Sequence, residues 1–384
     1  MTTSGDIRVV EATTKSDRDD FLRLPLRLYR GHPGYAPALL LERAAAIDPR
    51  KNPFFKHAEA ALFVAYRGTE PVGRISAQID RLAQGRHGSD LGHFGCVDAI
   101  DDATVYRALF AAAENWLSQR GVKRVQGPFS LTINEETGLM IDGFESRPML
   151  MMAYHPPYAG GRVEAAGYTK AKDIIAYDYD VTTAPPIENQ RLIQRAHADL
   201  AIRLRHLDMK RYRQDLDVIL GIFNDAWAEN WGFVPMTEDE IAHTAHEMKP
   251  IIMPDMVWIA EVDGEPASMI VCLPNVLEAT ADLDGKLLPF GWAKLLWRLK
   301  VAGLKSSRVP LFGLRQRWHR SPYGAAIIFM LLDELRKHGL KHRIDRAELS
   351  WILEDNATIR KIIERVGGRA YKTFRVYEKR LAPS

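Results

Sequence analysis

The sequence predicts an α/β protein in which a mixed sheet is flanked by helices, and it predicts that this fold occurs twice. Segments 62–77 and 257–272 resemble each other, and both read as a strand, a tight turn and a strand. Segments 163–181 and 363–381 also resemble each other, again with an offset of roughly 200 residues. Between these landmarks strands alternate with helices in both halves, which favours duplication of a whole α/β domain.

The two hairpin segments share residues as well as pattern. "LFVAYRGTEPVGRISA" and "VWIAEVDGEPASMIVC" align Ala65 with Ala260, Glu70 with Glu265 and Pro71 with Pro266. The second turn, Asp263-Gly264, has the composition of a two-residue hairpin loop. Chance similarity would explain one such pair, but a second pair at a similar offset favours duplication.

That second pair reads as a helix end, a glycine at a left-handed cap and a strand. "VEAAGYTKAKDIIAYDYDV" and "IERVGGRAYKTFRVYEKRL" align Glu164 with Glu364, Gly167 with Gly367 and Tyr177 with Tyr377. We therefore predict a first domain over 1–182, a linker over 183–190 and a second domain over 191–384.

The elements between the landmarks follow one order. In the second half we expect helices at 286–305, 323–338 and 356–367, and strands at 309–316, 346–353 and 371–381. In the first half we expect strands at 92–100 and 122–129 on either side of a helix at 103–120.

Composition limits the function. The chain has 384 residues, 46% hydrophobic and 26% charged, and a net charge of only +3, which gives no support to nucleic-acid binding. Cys96 and Cys272 stand in apolar runs, so we expect free thiols, and no Cys or His spacing fits a metal site. No signal-peptide pattern and no run of about 20 apolar residues occurs. We expect a cytoplasmic protein, either free or peripheral at the inner membrane.

The stretch "HRSPYGAAIIFMLLDELRKHG" (319–339) joins a basic loop to an apolar helix. A helix N-terminus presents unpaired N–H groups and the positive end of the helix dipole, so basic side chains beside it favour a phosphate ligand. This predicts a diphosphate site, and the alternative is a solvated basic loop that leads into a core helix. The basic residues are Arg315, Arg317, His319 and Arg320, and the small ones are Gly324, Ala325 and Ala326.

This order of elements resembles the GNAT acyltransferase superfamily, whose loop holds the pyrophosphate of coenzyme A. Ser321, Gly324 and Ala326 occupy the motif positions, although the first position departs from the family's Gln or Arg. The resemblance implies a donor site for acyl-coenzyme A, or for an acyl carrier protein, with no prosthetic group. Its residues would be Arg315, Arg317, His319, Arg320, Ser321, Tyr323, Gly324, Ala325, Ala326 and Asn356.

The first half differs from this motif at the equivalent place. When the halves are aligned through Gly121 and Gly339, Asp101 and Asp102 replace His319 and Arg320, and Tyr106 replaces Gly324. Carboxylates repel a diphosphate and a tyrosine crowds it, so we expect one donor site, in the second half. The first half would then be a degenerate copy on the acceptor side.

The resemblance extends over nearly the whole chain. In "EDNATIRKIIERVGGRAY", Asn356 and Gly367 match the family's second signature, while Ile363 stands where a tyrosine proton donor is usual. Tandem GNAT-like halves, with the stretches at 127–144 and 223–240, resemble the long bacterial acyltransferases that include bacterial ceramide synthases. This implies transfer of a fatty acyl group from a thioester to the amine of a sphingoid base.

Amide formation from a thioester needs an amine without its proton and stabilisation of an oxyanion, and it needs no covalent enzyme intermediate. A carboxylate among aromatic residues would have a raised pKa and could act as the base. The alternative role for each carboxylate is to cap a helix or form a turn. Candidates in three polar, aromatic-flanked stretches are Glu135, Glu136, Glu229, Asn230, His155 and Tyr158.

Segment 286–305 combines tryptophan and leucine with Lys294, Arg298, Lys300 and Lys305. This composition is typical of a helix that lies at a membrane surface, and the alternative is an ordinary amphipathic helix packed on the sheet. Membrane contact would suit a lipid-like amine as acceptor.

Two other functions remain open at this point. Tandem GNAT-like proteins also transfer aminoacyl groups from tRNA, but the broad basic surface expected for that class is not indicated by the net charge of +3. A degenerate pair without a tyrosine donor could also bind acyl-coenzyme A or lipid without turnover.

Overall fold

The computed structural model describes residues 6–184, 191–321 and 323–382. The strands are β1 (Ile7–Glu11), β2 (Ala58–Arg67), β3 (Glu70–Asp80), β4 (Leu91–Ala99), β5 (Arg124–Gly127), β6 (Leu139–Asp142), β7 (Thr169–Asp180), β8 (Ile202–His206), β9 (Val257–Val262), β10 (Glu265–Pro274), β11 (Ser306–Leu314), β12 (Arg346–Leu353) and β13 (Arg369–Arg380). The helices are α1 (Lys15–Leu28), α2 (Leu40–Ala46), α3 (Arg81–His87), α4 (Ala103–Ser118), α5 (Ala159–Ala165), α6 (Arg191–Asp199), α7 (Tyr212–Trp227), α8 (Glu238–Met248), α9 (Leu277–Thr280), α10 (Gly291–Trp297), α11 (Gln316–His319), α12 (Gly324–Lys341) and α13 (Ala357–Arg365).

The predicted α/β class and the repeated order of elements are confirmed. Both predicted hairpins are present, as β2–β3 and β9–β10, and Asp263 and Gly264 form the second turn with φ of 52° and 83°. Gly167 and Gly367 both have positive φ after a helix, as expected for a left-handed cap. The helix expected over 286–305 is shorter, since α10 continues only through a π-helical turn, Arg298–Ala302.

The strands of both halves form one sheet in the order β1-β2-β3-β4-β5-β13-β7-β12-β11-β10-β9-β8, and β6 pairs with β13. The centre of this sheet contains an exchange. β7, from the first half of the sequence, pairs with β12, while β13, from the end of the chain, pairs with β5. The two exchanged strands pair antiparallel with each other. The domain boundary predicted between residues 182 and 191 therefore separates two parts of the sequence that share a single sheet. Residues 185–190 of the predicted linker lie outside the described residues.

Two of the apolar cores, those around α12 and α4, include residues from the exchanged strands. The core around α12 contains Tyr177, Tyr179 and Val181, which come from β7 and its end. The core around α4 contains Tyr377 of β13. Each half therefore buries apolar surface on a strand supplied by the other half.

Each half contains a parallel strand pair that separates. β11 and β12 pair only over 306–309 and 346–349, after which β11 stays with β10 and β12 stays with β7. β4 and β5 likewise pair only over 91–93 and 124–126. A gap therefore opens beside the end of each pair.

Candidate functional site

A large cavity of about 720 Å³ lies between elements of both halves. Its wall is mostly apolar and comes from α1, α7, α8, α10 and the strands at the gaps. A cluster of charged and polar side chains interrupts this apolar wall. The cluster consists of Arg43, Arg74, Cys96, Asp98, Ser130, Glu135, Glu136 and His155.

The loop between β5 and β6 places two of these carboxylates. Phe129 and Thr137 form a bridge, and the Gly138 amide donates to the Pro128 carbonyl over 2.9 Å, so residues 128–138 form a tight hairpin-like loop. Glu135 and Glu136 lie near its end and both line the cavity. The predicted polar segment therefore contributes directly to the cavity wall.

The two neighbouring carboxylates differ in their partners. Glu136 accepts hydrogen bonds from Arg43 and from the Ser130 hydroxyl, the latter over 3.3 Å. Among the described residues, no group donates a hydrogen bond to the carboxylate of Glu135. Hydrogen bonds therefore fix the carboxylate of Glu136, whereas the carboxylate of Glu135 is available to interact with a ligand in the cavity.

Their pKa values diverge for the same reason. Burial, reinforced by the neighbouring Glu136 carboxylate, raises the pKa of Glu135 to about 8, although Arg43 opposes the rise. Burial also favours the neutral form of Glu136, but Arg43 outweighs it and holds the pKa of Glu136 below its usual value. Two adjacent carboxyl groups with pKa values pushed apart are typical of an acid–base site. Glu135 is the member that can take up a proton near neutral pH.

Asp98 of β4 anchors the other side of the cluster. It is buried and accepts hydrogen bonds from Tyr29 over 2.6 Å and from Arg74 over 2.7 Å. Burial favours its neutral form, but Arg74, His155 and Tyr29 outweigh that and hold the pKa of Asp98 below its usual value. Asp98 is therefore a fixed negative charge.

His155 is buried and lines the cavity. Its Nδ1 accepts a hydrogen bond from the Met140 amide over 3.2 Å, so the neutral ring carries its proton on Nε2. Burial lowers the pKa of His155, although Asp98 and Glu136 oppose the shift. A neutral imidazole with Nε2–H can donate a hydrogen bond to an oxygen atom.

Three other predicted residues lie outside the cavity wall. Glu229 is exposed, and Asn230 is half-buried, with its amide donating to the Trp227 carbonyl over 2.9 Å. The Tyr158 hydroxyl donates to the Ala99 carbonyl over 2.8 Å. The structure does not place these three residues, Glu229, Asn230 and Tyr158, in the polar cluster.

The basic loop lies between β11 and α12 and includes the short helix α11. Arg317, His319 and Arg320 are exposed, and Nε2 of His319 donates to the Leu314 carbonyl over 2.6 Å. Arg315 is directed inward and donates to the Pro266 carbonyl over 2.8 Å. Three of the four basic residues therefore face solvent.

The small residues serve packing as well. A Cβ on Gly324 would lie only 2.4 Å from the carbonyl oxygen of Trp318, so glycine allows α11 to pack against α12. Ala326 is buried, and Ala325 is half-buried. Ser321 accepts a hydrogen bond from the Tyr323 amide over 3.2 Å. The tight first turn thus follows from packing between the two helices.

The N-termini of α4 and α12 differ as expected from the sequence. Asp102 caps α4 by accepting from the Thr104 amide over 2.7 Å, and Tyr106 is fully buried behind it. Among the described residues, no side chain caps α12, although the hydroxyl of its N-cap residue Tyr323 donates to Asp199. The first helix already has an anion at its positive end, while exposed basic side chains lie near that end of the second. Asn356, which was predicted to help hold the donor, caps α13 by accepting from Ile359 over 3.3 Å.

The described residues of the basic loop do not line the cavity, but they are connected to the cavity wall. The Gln316 amide donates to Asp225 over 2.8 Å, and the same helix, α7, supplies Trp227 to the wall. Trp227 contacts Trp351 of β12 with ring centroids 5.3 Å apart. Both tryptophans line the cavity where β11 and β12 separate. The gap between these strands therefore offers a structural connection between loop and cavity.

The part of segment 286–305 that folds as a helix forms another part of the wall. Leu287, Leu295 and Leu299 line the cavity, while Trp292 and Trp297 are 51% and 57% exposed. The tryptophans therefore point outward. Within residues 6–184, 191–321 and 323–382, no helix is both long and apolar enough to cross a membrane.

Sequence reasoning missed Arg43, Arg74 and Asp98. Arg74 and Asp98 stand on strands whose alternating polar residues read as a solvent face, and no local signal marks that face as covered. In the described part of the chain, no group of three or more His, Cys, Asp or Glu side chains could hold a metal ion. Cys96 and Cys272 are both free.

Comparison with solved structures places this fold. The tandem GNAT protein from the clavulanic acid biosynthesis pathway superposes with a TM-score of 0.58 and 11% identity, over 99% of this chain and 100% of that chain. No protein-family model matches the chain. Together with the sequence relatives described next, this fold defines an acyltransferase of the tandem GNAT class.

Two relatives in sequence make the assignment more specific. The chain is 48% identical over 380 residues to the bacterial ceramide synthase of Caulobacter vibrioides (strain NA1000 / CB15N), covering 99% of each chain. It is 42% identical over 370 residues to protein YghO of Escherichia coli (strain K12), covering 96% of this chain and 94% of that protein. The chain belongs to the bacterial ceramide synthase family.

Proposed function

We propose that this acyltransferase moves a long-chain acyl group from a coenzyme A or carrier-protein thioester to the amine of a sphingoid base, which makes a ceramide-type amide. The name of the Caulobacter relative supports the reaction. One structural observation carries the proposal: a mostly apolar cavity of about 720 Å³ holds an unpaired carboxylate, Glu135, with a raised pKa. The volume lies in the range of small-molecule sites, and the apolar wall suits alkyl chains.

The reaction needs a base at the acceptor amine. In this proposal Glu135 takes one proton from the cationic amine and releases it to solvent, and the neutral nitrogen attacks the thioester carbonyl carbon. The C–N bond forms and the C–S bond breaks, and the proton that the nitrogen loses on becoming an amide passes through water to the departing thiolate. The Nε2–H of His155 donates to the oxyanion that develops on the carbonyl oxygen.

The other charges in the cluster have positioning roles in this proposal. Arg43 keeps Glu136 ionised, and that charge in turn raises the pKa of Glu135. Arg74 and Asp98 neutralise each other within 2.7 Å. The amine of the acceptor enters as a cation, and Glu135, when ionised, is the carboxylate of this cluster without an ion-pair partner among the described residues and so favours its approach.

The donor is proposed to bind at the basic loop. Arg317, His319 and Arg320 are exposed beside the uncapped N-terminus of α12, and that arrangement suits a diphosphate. A phosphopantetheine arm would then pass through the gap between β11 and β12, beside Trp227 and Trp351. Coenzyme A and a carrier protein both offer this arm, so either donor fits the proposal.

Chain-length dependence tests the substrate class. Purified protein is given one acyl-coenzyme A and a series of amines from a short water-soluble amino alcohol to a sphingoid base, and N-acyl products are measured by mass spectrometry. We expect turnover to rise steeply with the acceptor's alkyl chain. Equal turnover of short and long amines would contradict a lipid acceptor and leave the acyl transfer itself in place.

A further inference from the structure

The helix that forms one wall of the cavity presents an apolar surface on its opposite side. Of the nine large apolar side chains that are exposed in the described residues, six lie between Leu288 and Val301, so the exposed apolar surface is concentrated in one segment. A concentration of exposed large apolar side chains in one segment indicates an interaction site. We name this surface the lid patch, and it consists of Leu288, Phe290, Trp292, Leu296, Trp297 and Val301.

The same helix is apolar on its inner side for a different reason. Leu295 and Leu299 line the cavity, as does Leu287 just before the helix. The thickness of a single helix therefore separates the cavity from the lid patch. A helix that is apolar on both sides is stable only if both sides meet apolar material.

The basic residues of the segment divide into two groups. Lys294 and Arg298 both pair with Asp282, Arg298 over 2.6 Å, and Arg298 also donates to the Ala279 carbonyl over 2.8 Å. These two hold the helix against the body of the protein. Lys286 and Lys300 are exposed, and the described residues contain no carboxylate paired with either.

We propose that the lid patch docks on an anionic lipid bilayer, with the aromatic rings in the headgroup region and Lys286 and Lys300 facing the lipid phosphates. Tryptophan and phenylalanine beside lysine are typical of interfacial helices. The bilayer then lies against the outer side of the helix whose inner side lines the cavity. A lipid amine passes from bilayer to cavity beside α10 without crossing water, and this last step rests on the proposed function.

A bilayer suits the lid patch better than an acyl carrier protein does. In the proposed function a carrier protein delivers its thioester at the donor loop, whose described residues, 315–321 and 323, do not line the cavity, whereas the lid patch lies on the outer side of the cavity wall. Lys286 and Lys300, which have no carboxylate partner among the described residues, add positive charge beside the patch, and this suits lipid phosphates. A second copy of the chain and a carrier protein are the other occupants that the experiment separates.

Vesicle sedimentation tests the docking without any activity. Protein is mixed with vesicles of phosphatidylglycerol and phosphatidylcholine at low salt, and the bound fraction is measured for wild type, for Trp292→Ser/Trp297→Ser and for Leu340→Ser. Leu340 is 42% exposed on α12 and serves as the matched apolar control. We expect the double variant to lose at least tenfold in partitioning, Leu340→Ser to match wild type, and Lys286→Gln/Lys300→Gln to weaken binding only to anionic vesicles.

Other outcomes overturn the proposal. Wild-type protein that stays in the supernatant at low salt contradicts docking. A wild-type dimer that the tryptophan variant converts to a monomer, measured by light scattering, assigns the patch to a second copy. A variant that loses binding to an acyl carrier protein while vesicle binding is unchanged assigns it to that protein.

Measurements of turnover distinguish failure of membrane docking from failure of the proposed function. Turnover is measured on a sphingoid base carried in vesicles and on the same base in detergent micelles. We expect Trp292→Ser/Trp297→Ser to lose vesicle-borne turnover and to keep micellar turnover. If wild type docks but turns over neither substrate, the proposed function fails and the docking stands.

Discussion

The hydroxyl of Tyr177 donates a hydrogen bond to Glu364 over 3.2 Å, across the boundary between the two halves. The equivalent residues in the repeat form the reciprocal contact, because Tyr377 donates to Glu164 over 3.3 Å. Both tyrosines are fully buried on the exchanged strands. Each half therefore supplies the strand and the tyrosine that complete the other half.

This exchange predicts that the halves do not fold separately. A fragment of residues 1–184 lacks β13 beside β5, and a fragment of residues 191–384 lacks β7 beside β12. Each would expose a sheet edge and part of its core, so we expect both to aggregate when expressed alone. Size-exclusion chromatography and circular dichroism of the separate and co-expressed fragments measure this. Two soluble, cooperatively folded fragments would contradict the prediction.

Replacing Glu135 tests the proposed base. Glu135→Gln keeps the shape and removes proton uptake, so we expect kcat to fall by about 10²-fold. Since the pKa of Glu135 is about 8, the wild-type rate should rise with pH and level off above that value, and the variant should lose this dependence. Glu229→Gln is the matched control, because Glu229 is exposed and lies outside the cavity wall. Equal loss in both variants, or a preserved pH profile in Glu135→Gln, argues against the role.

The same substitution should stabilise the protein. A carboxyl group whose pKa rises from 4.5 unfolded to about 8 folded destabilises the folded state once it ionises, so its cost grows as pH rises from about 4.5 to 8. The cost removed by Glu135→Gln is at most roughly 5 kcal/mol. Thermal unfolding at pH 5 and pH 9 should show a gain in Tm that is larger at pH 9. A Glu135→Gln variant with a lower Tm than wild type at pH 9 would show that ionisation of Glu135 does not destabilise the folded protein.

The donor loop is best tested through its exposed charges. Gly324→Glu would disturb the packing against Trp318 with or without a ligand, since even a Cβ lies too close to the carbonyl there. Arg317→Glu/Arg320→Glu changes only exposed side chains, and we expect it to weaken acyl-coenzyme A binding at least tenfold, about 1.4 kcal/mol. Isothermal titration measures the affinity, with Lys123→Glu in the first half as the charge control. Unchanged affinity in the double variant would move the donor away from this loop.

Local patterns in the sequence predicted the hairpins and several of the helices and strands, but not how the strands pair. The hairpins, the left-handed glycines and the Asn356 cap depend on a few neighbouring residues, and the structure contains them. The exchange of β7 and β13 depends on which edge each long strand meets. The alternation of residues within the two strands did not predict that choice, because both strands end their repeat unit after a helix and a left-handed glycine.

Only part of the candidate site was predicted, because sequence patterns reveal local features and not contacts between distant segments. Glu135 and Glu136 stand out because a polar loop flanked by apolar residues is unusual in sequence. On β3, Arg74 alternates with apolar residues and so reads as facing water. The structure covers that face with α1 and with the loop at 128–138, a contact between distant segments that periodicity does not reveal.

Acyl transfer itself is the central claim, and one measurement tests it most directly. Purified protein is incubated with a long-chain acyl-coenzyme A, with and without a sphingoid base, and both free thiol and N-acyl product are quantified over time. We predict that thiol is released only when the amine is present, with one N-acyl product formed for each thiol. Binding of the thioester without amine-dependent thiol release, or thiol release that yields free fatty acid instead of amide, would contradict the account.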